Sequence, residues 1–334
     1  MRHCLFLLLG SVTWISMAVA EEPVLDLTFD DPDVVLGAYS EGASRTEYQA
    51  DPKLERLPVS SGSGGEAFLR EDTSNWDAET VLPPRIFQVV TDPVVWAKPF
   101  VRLTSHRLQR EDDESPGTGG RLEIVPEGQE TSFAGFAEVK DGKIFLNGAF
   151  DVFFRYEEKR AVASVPVPHL ISLIGDGRLR MFVESDSEGL MAARILAEKA
   201  HEDDDNVVFD TDLDGEADEA RAETTLVNAV PIGTDPYHLA VTFQTDDEGT
   251  VTVRVYVKQG SGEIHTESED NLASEGRFRI LSKDEGLKFT EKFKLGPQSR
   301  QRADEIVLDL AAFRIFDTTP KVFPALPGAP TKKR

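Results

Sequence analysis

Asp210, Asp212 and Asp214 stand at alternate positions in the run DTDLDGEADE, followed by Gly215, Glu216 and Asp218. Calcium takes about six to eight oxygen ligands, and carboxylates at the first, third and fifth places converge when a glycine at the sixth turns the backbone sharply. The carbonyl of Glu216 and the side chain of Asp218 would extend that shell. The spacing therefore predicts Ca2+ as a structural cofactor, held by Asp210, Asp212, Asp214, Glu216 and Asp218. The twelfth place, where a bidentate carboxylate closes such loops, is Arg221, so the closing carboxylate comes from elsewhere or is missing. From Arg194 to Thr224 there are twelve acids and three bases, a segment that repels itself without a counter-ion. The alternative is a solvated acidic loop.

Other chemistry is sparser. The run resembles the loops of thrombospondin type 3 repeats and dockerins. Glycosidases of the laminarinase-like kind carry E-x-D-x-x-E or E-x-D-x-E on one strand face. The spacing E-x-D-x-E occurs at Glu184-Ser185-Asp186-Ser187-Glu188, but it runs past the end of the expected strand Arg178–Glu184. No expected strand therefore carries all three acids, and Glu216-x-Asp218-Glu219 lies inside the acidic loop. Arg155–Glu157 (RYE) and Tyr256–Lys258 (YVK) resemble two of three short elements of alginate-lyase-like jelly rolls. The third, Gln-x-His, is absent, because Gln88-Val89-Val90 has valine where histidine belongs. After the first twenty residues the histidines are His106, His169, His201, His238 and His265, none paired at metal-binding spacing. Neither a G-x-S-x-G elbow nor a phosphate or dinucleotide loop is present. No catalytic residue is assigned. Trp76 and Trp96 are the candidate ligand-binding residues, as rings able to stack on sugars; the competing expectation is that they cap the core.

The chain has 334 residues, with 36 Lys+Arg against 60 Asp+Glu and a net charge of −24. That acidity disfavours nucleic acid and anionic lipid as partners. Hydrophobic content of 40% and charged content of 29% are ordinary for globular proteins. Met1-Arg2-His3 is a short basic start, Cys4–Met17 is mostly apolar, and Ala18-Val19-Ala20 offers a small-x-small cleavage pattern. These features predict a signal peptide over 1–20, cut after Ala20, rather than a membrane span, and hence a secreted, periplasmic or extracellular protein. Cys4 is the sole cysteine and leaves with that peptide, so the exported chain would have no disulfide.

The elements that must position the acidic loop read as strands. In Thr250–Lys258, Val251, Val253, Val255 and Val257 alternate with Thr252, Arg254, Tyr256 and Lys258, the pattern of a strand with one buried face. Arg178–Glu184 and His238–Phe243 repeat it, and further strands are expected at Val24–Phe29, Arg121–Val125, Phe133–Val139, Asp151–Tyr156, Arg277–Leu281, Leu287–Leu295 and Ile306–Phe316. Leu190–Ala200 is the one stretch with a helical period. Ser60–Gly65 and Arg110–Gly120 read as surface loops, about 198–224 as an acidic insertion, and 319–334, Pro-rich with a basic end, as a flexible tail.

Pro236–Ile264 resembles the hairpin of laminin-G-like, concanavalin A-like jelly rolls, with its Tyr-His start, apolar strand, acidic turn and alternating strand. Asp304–Asp317 (DEIVLDLAAFRIFD) resembles the closing strand of that family, and Val24–Asp31 its first strand. GAFDVFFRYEE and GDGRLRMFVES fit two further strands, while Tyr39–Gly120 matches nothing in the pattern. The resemblance implies an all-β fold, a two-sheet antiparallel jelly-roll sandwich with an acidic inserted loop, as a single domain over 21–318. It implies a non-enzymatic module binding a glycan or an extracellular protein. The alternatives are a polysaccharide-degrading enzyme (glycoside hydrolase or lyase) on the same fold, and a structural envelope protein.

Overall fold

A computed structural model describes residues 21–29, 65–71, 87–107, 117–126, 137–158, 169–173, 177–185, 190–199, 207–216, 221–231, 235–282, 293–295 and 306–327. The regular structure of these residues is antiparallel strand, apart from one 3-10 turn at Glu269–Asn271. In chain order the strands begin β1 Leu25–Thr28, β2 Gly65–Glu71, β3 Phe87–Val90, β4 Phe100–Arg107 and β5 Gly117–Pro126. There follow β6 Ala137–Lys140, β7 Lys143–Leu146, β8 Gly148–Glu158, β9 His169–Leu173 and β10 Gly177–Ser185. Then come β11 Leu190–Lys199, β12 Val207–Asp210, β13 Arg221–Pro231, β14 Tyr237–Thr245 and β15 Thr250–Gln259. The last are β16 Ile264–His265, β17 Leu272–Ser282, β18 Phe293–Leu295, β19 Ile306–Phe316 and β20 Val322–Phe323.

The spine of the molecule is the run β4-β19-β8-β14-β15-β17, with β1 also paired to β19 and β12 to β17. Strands β2, β4 and β18 all pair with β5, so the sheet continues around one edge. It folds back over itself there: the ring of Phe293 on β18 lies 5.2 Å from Phe313 on β19 and 5.9 Å from Phe150 on β8. A second sheet, β13-β11-β10-β9, places β9 beside β18 and β13 beside β17. The result is a two-layer antiparallel sandwich of the jelly-roll kind. Its core takes Phe150, Val152 and Phe154 of β8, Val251, Val253 and Val255 of β15, and Leu122 and Ile124 of β5. Alternate residues fill this space because successive side chains of a strand point to opposite faces.

Several elements differ from the sequence reading. Leu190–Lys199 is strand β11, not a helix. It pairs along its length with β10 and β13, and ladders on both edges outweigh the small helix preference of its Ala, Leu and Glu residues. Strand β5 begins at Gly117, inside the expected loop Arg110–Gly120, and β2, β3 and β4 occupy part of Tyr39–Gly120. Tyr256 faces away from the core valines as expected, yet is buried. The cause lies in the Pro-rich C-terminal segment, which does not trail away through residue 327. Val322–Phe323 pairs with Ile264–His265 as β20 on β16, and Phe323 and Leu326 are buried. Apolar residues between the prolines give that segment something to pack, and it forms a strap across the outer face of the spine. Residues 328–334 and 1–20, where the sequence predicts a signal peptide, lie outside the described residues.

Candidate functional site

The outer face of the spine can be read from register. Arg102 on β4, Asp309 on β19 and Arg155 on β8 are direct cross-strand neighbours. Arg314 on β19, Asp151 on β8, Ala240 on β14 and Tyr256 on β15 form a second such row. Asp309 and Arg314 are five residues apart, an odd spacing that would set them on opposite faces. The register shift between Leu310 and Ala312 puts them on the same one.

Both rows are ion-paired. Asp309 is fully buried and accepts from Arg102 through Nε (2.7 Å) and a terminal nitrogen (3.0 Å). It accepts from Arg155 through Nε (2.9 Å) and a terminal nitrogen (2.6 Å). Asp151, also fully buried, accepts from Arg314 Nε at 2.8 Å and again from the terminal nitrogen of Arg314. His238 Nε2 lies 2.9 Å from the same carboxylate, while its Nδ1 lies 2.7 Å from the Gly262 carbonyl. The His238 ring stacks on Phe153 at 4.0 Å, and the Arg314 guanidinium sits 5.1 Å from the centre of that same ring. Burial pushes the Asp151 carboxyl up, but the charges and hydrogen bonds of Arg314 and His238 outweigh it and hold the group below the ordinary carboxylate range.

The strap closes this row from solvent. Arg314 donates to the Pro324 carbonyl at 2.6 Å, and the Leu326 amide donates to the Ser261 carbonyl at 3.0 Å. Phe323 packs among Phe316, Ile264, Ala240 and Tyr256, and Leu326 joins Trp96, Phe100 and Phe153. Of the two lyase-like fragments, Arg155 is engaged by Asp309. The Tyr256 hydroxyl lies 3.4 Å from the Thr266 carbonyl, beneath the strap. Lys258 Nζ donates to the Glu263 carbonyl at 2.6 Å.

Trp96 has only 3% of its surface exposed. Its ring packs edge-on against Phe100 at 5.0 Å, so it offers no open face to a sugar, and its indole N–H has no hydrogen-bond partner. Trp76 lies outside the described residues.

The acidic loop sits at the far edge of the same sheet face. Strand β12 pairs with β17 so that Asp210 lies opposite Arg279. Asp210 is fully buried, whereas Asp212, Asp214 and Glu216 are exposed. The Gly215 amide donates to Asp210 Oδ2 at 3.1 Å, a closure that uses the left-handed backbone of Gly215 (φ +93°). The Asp214 amide donates to Asp212 Oδ1 and the Glu216 amide to Asp214 Oδ1. Candidate ligand oxygens of Asp210, Asp212 and Asp214 all lie within 4.8 Å of one another. Asp210 Oδ1 is buried without a hydrogen-bond partner, an arrangement that costs free energy unless a cation or donor meets it. Hard carboxylate oxygens converging on an orphaned buried acceptor fit a calcium ion. Asp218 lies outside the described residues.

Sequence reasoning missed the buried carboxylates Asp151 and Asp309 with their arginine partners, and Arg279 beside Asp210. The available signal was a lone Asp inside otherwise apolar strands, GAFDVFF and IVLDLAA, where burial demands a partner.

No family model and no curated protein matches the chain. Among solved structures, the chain is similar to the binding domain of a botulinum neurotoxin, serotype D/C, at 10% identity and TM-score 0.37. That match covers 76% of this chain and 44% of the toxin structure. It is similar to an alginate lyase in complex with alginate tetrasaccharide at 9% identity and TM-score 0.40, over 88% of this chain and 96% of the other. It is also similar to peanut lectin at 12% identity and TM-score 0.26, over 78% and 100%. The chain thus spans less than half the toxin structure it matches. Among the described residues no helix is long and apolar enough to cross a membrane.

Proposed function

We propose that the chain is an exported, calcium-stabilised, laminin-G-like recognition module that binds a glycan or an extracellular protein and performs no catalysis. One observation supports this reading against a lyase-like enzyme on the same fold: among the described residues of the two lyase-like fragments, Arg155 and Tyr256 are committed to structure. Arg155 is held by a buried carboxylate, and Tyr256 lies under the C-terminal strap with its hydroxyl turned to a backbone carbonyl. A general base or acid must reach the proton it moves, and a covered tyrosine cannot. Calcium would be held by Asp210, Asp212 and Asp214, with the Glu216 carbonyl and Asp218 completing the shell. Its contribution is charge neutralisation and bracing. The leader ending at Ala20 makes export the compartment of this reading.

The test is incubation with a panel of neutral and uronate-containing polysaccharides, following reducing ends and unsaturated uronates. No product above the buffer blank is expected. Steady release of either product from any polymer would establish the polysaccharide-degrading enzyme instead.

A further inference from the structure

We infer that a calcium ion in the Asp210–Asp214 loop acts as a staple between the two sheets, an inference that rests on the calcium reading above. Strand β12 ends at Asp210 and belongs to the large sheet through its pairing with β17. The next strand, β13, begins at Arg221 and forms the edge of the four-stranded sheet. The metal loop is therefore the stretch in which the chain leaves one layer for the other. Strand β13 itself runs beside β17, so both ends of the crossing meet the same strand.

Arg279 of β17 already anchors the near side. Its guanidinium lies 3.6 Å from Asp210 Oδ2 and 3.4 Å from the Leu213 carbonyl, and its Nε donates to Thr250 Oγ1 at 3.2 Å. The same guanidinium lies 3.8 Å from Glu248. One cation is thus divided between Asp210 and Glu248, while Asp212 and Asp214 bring two more negative charges to the loop. Arg279 occupies the side of Oδ2, and Asp210 Oδ1 is the buried oxygen without a partner. A divalent cation meeting that oxygen and the Asp212 and Asp214 carboxylates offsets most of the remaining negative charge. It ties the exposed turn to the buried end of β12. The first residues of β13, which pair with β11 at Ala222↔Ala197 and Glu223↔Leu196, then enter their sheet from a fixed point.

Amide hydrogen exchange of the full chain, in calcium and in chelator, tests this, with calcium affinity measured by titration calorimetry on the same samples. Calcium is expected to slow exchange at least about tenfold both in 207–216 and in 221–231. Asp212→Asn should remove that slowing, as should Asp214→Asn; both side chains are exposed, so neither substitution disturbs the core. Protection confined to 207–216, with calorimetric binding intact, would overturn the staple and leave the calcium site standing. The absence of heat and of any calcium-dependent protection would overturn both.

Discussion

Arg314 and Asp151 face each other directly across β19 and β8, and the ion pair they form is buried beneath the chain's own C-terminal strap. Asp151 is shared with His238, so one carboxylate joins three adjacent strands. Asp151→Asn leaves the guanidinium buried against a neutral partner. We expect a loss of about 3–5 kcal/mol at pH 7, the usual cost of removing one member of a buried pair, read from urea unfolding midpoints. The sign with pH follows from the lowered folded-state value. The Asp151 contribution is present above the ordinary carboxylate value of 3.8 and is lost as pH falls through the still lower folded value. The gap between wild type and Asp151→Asn should therefore narrow on acidification below about pH 3.8. A constant gap down to pH 2 would contradict it.

The strap should be as costly to disturb as the core. Phe323 is completely buried among Phe316, Ile264 and Tyr256. Phe323→Ala should cost about 3–5 kcal/mol by cavity formation and lost contact. The exposed pair that Lys321 of the same segment makes with Glu267 should matter little, so Lys321→Ala should leave the melting temperature unchanged. Equal effects of the two substitutions in thermal melts would mean the strap does not pack in solution as described.

Two ion pairs of different burial give a further contrast. Asp309→Ala leaves Arg102 and Arg155 facing each other without their carboxylate, at an expected cost of about 3–5 kcal/mol. Arg254 and Glu275 form a pair at 2.7 Å with both side chains more than a third exposed, and Arg254→Ala should cost no more than about 1 kcal/mol. Denaturant midpoints for the two variants decide the point; a cost for Arg254→Ala matching that of Asp309→Ala would contradict the burial argument.

Calcium should raise the melting temperature, and chelator should return it. At about a hundredfold excess over Kd, an ion that binds only the folded state adds about 2.7 kcal/mol. Asp212→Asn should abolish the calcium-dependent rise while leaving the melt in chelator close to that of wild type. A rise that persists in Asp212→Asn would place the ion elsewhere.

Much of the fold was legible because strand alternation is a local signal. Ile306–Phe316 coincides with β19, and Thr250–Lys258 falls one residue short of β15. Leu190–Lys199 was misread because its Ala, Leu and Glu content carries a helical preference that only the neighbours β10 and β13 override. The strap was misread because prolines mark irregular chain, while the value of Phe323 and Leu326 depends on what lies beneath them. The acidic loop could be found from spacing alone, since its three carboxylates are five residues from end to end. The ion pairs could not. Asp151 and Arg314 are 163 residues apart, and only the bulge near Ala311 brings Asp309 and Arg314 to one face.

The most direct test of the recognition reading is binding of the chain from Glu21 to Arg334 to a broad glycan array, in calcium and in chelator. The account predicts binding to a defined glycan class that weakens when calcium is removed. Silence across the array in both conditions, from protein shown by its melt to be folded, would contradict glycan recognition and leave an extracellular protein partner or a structural role.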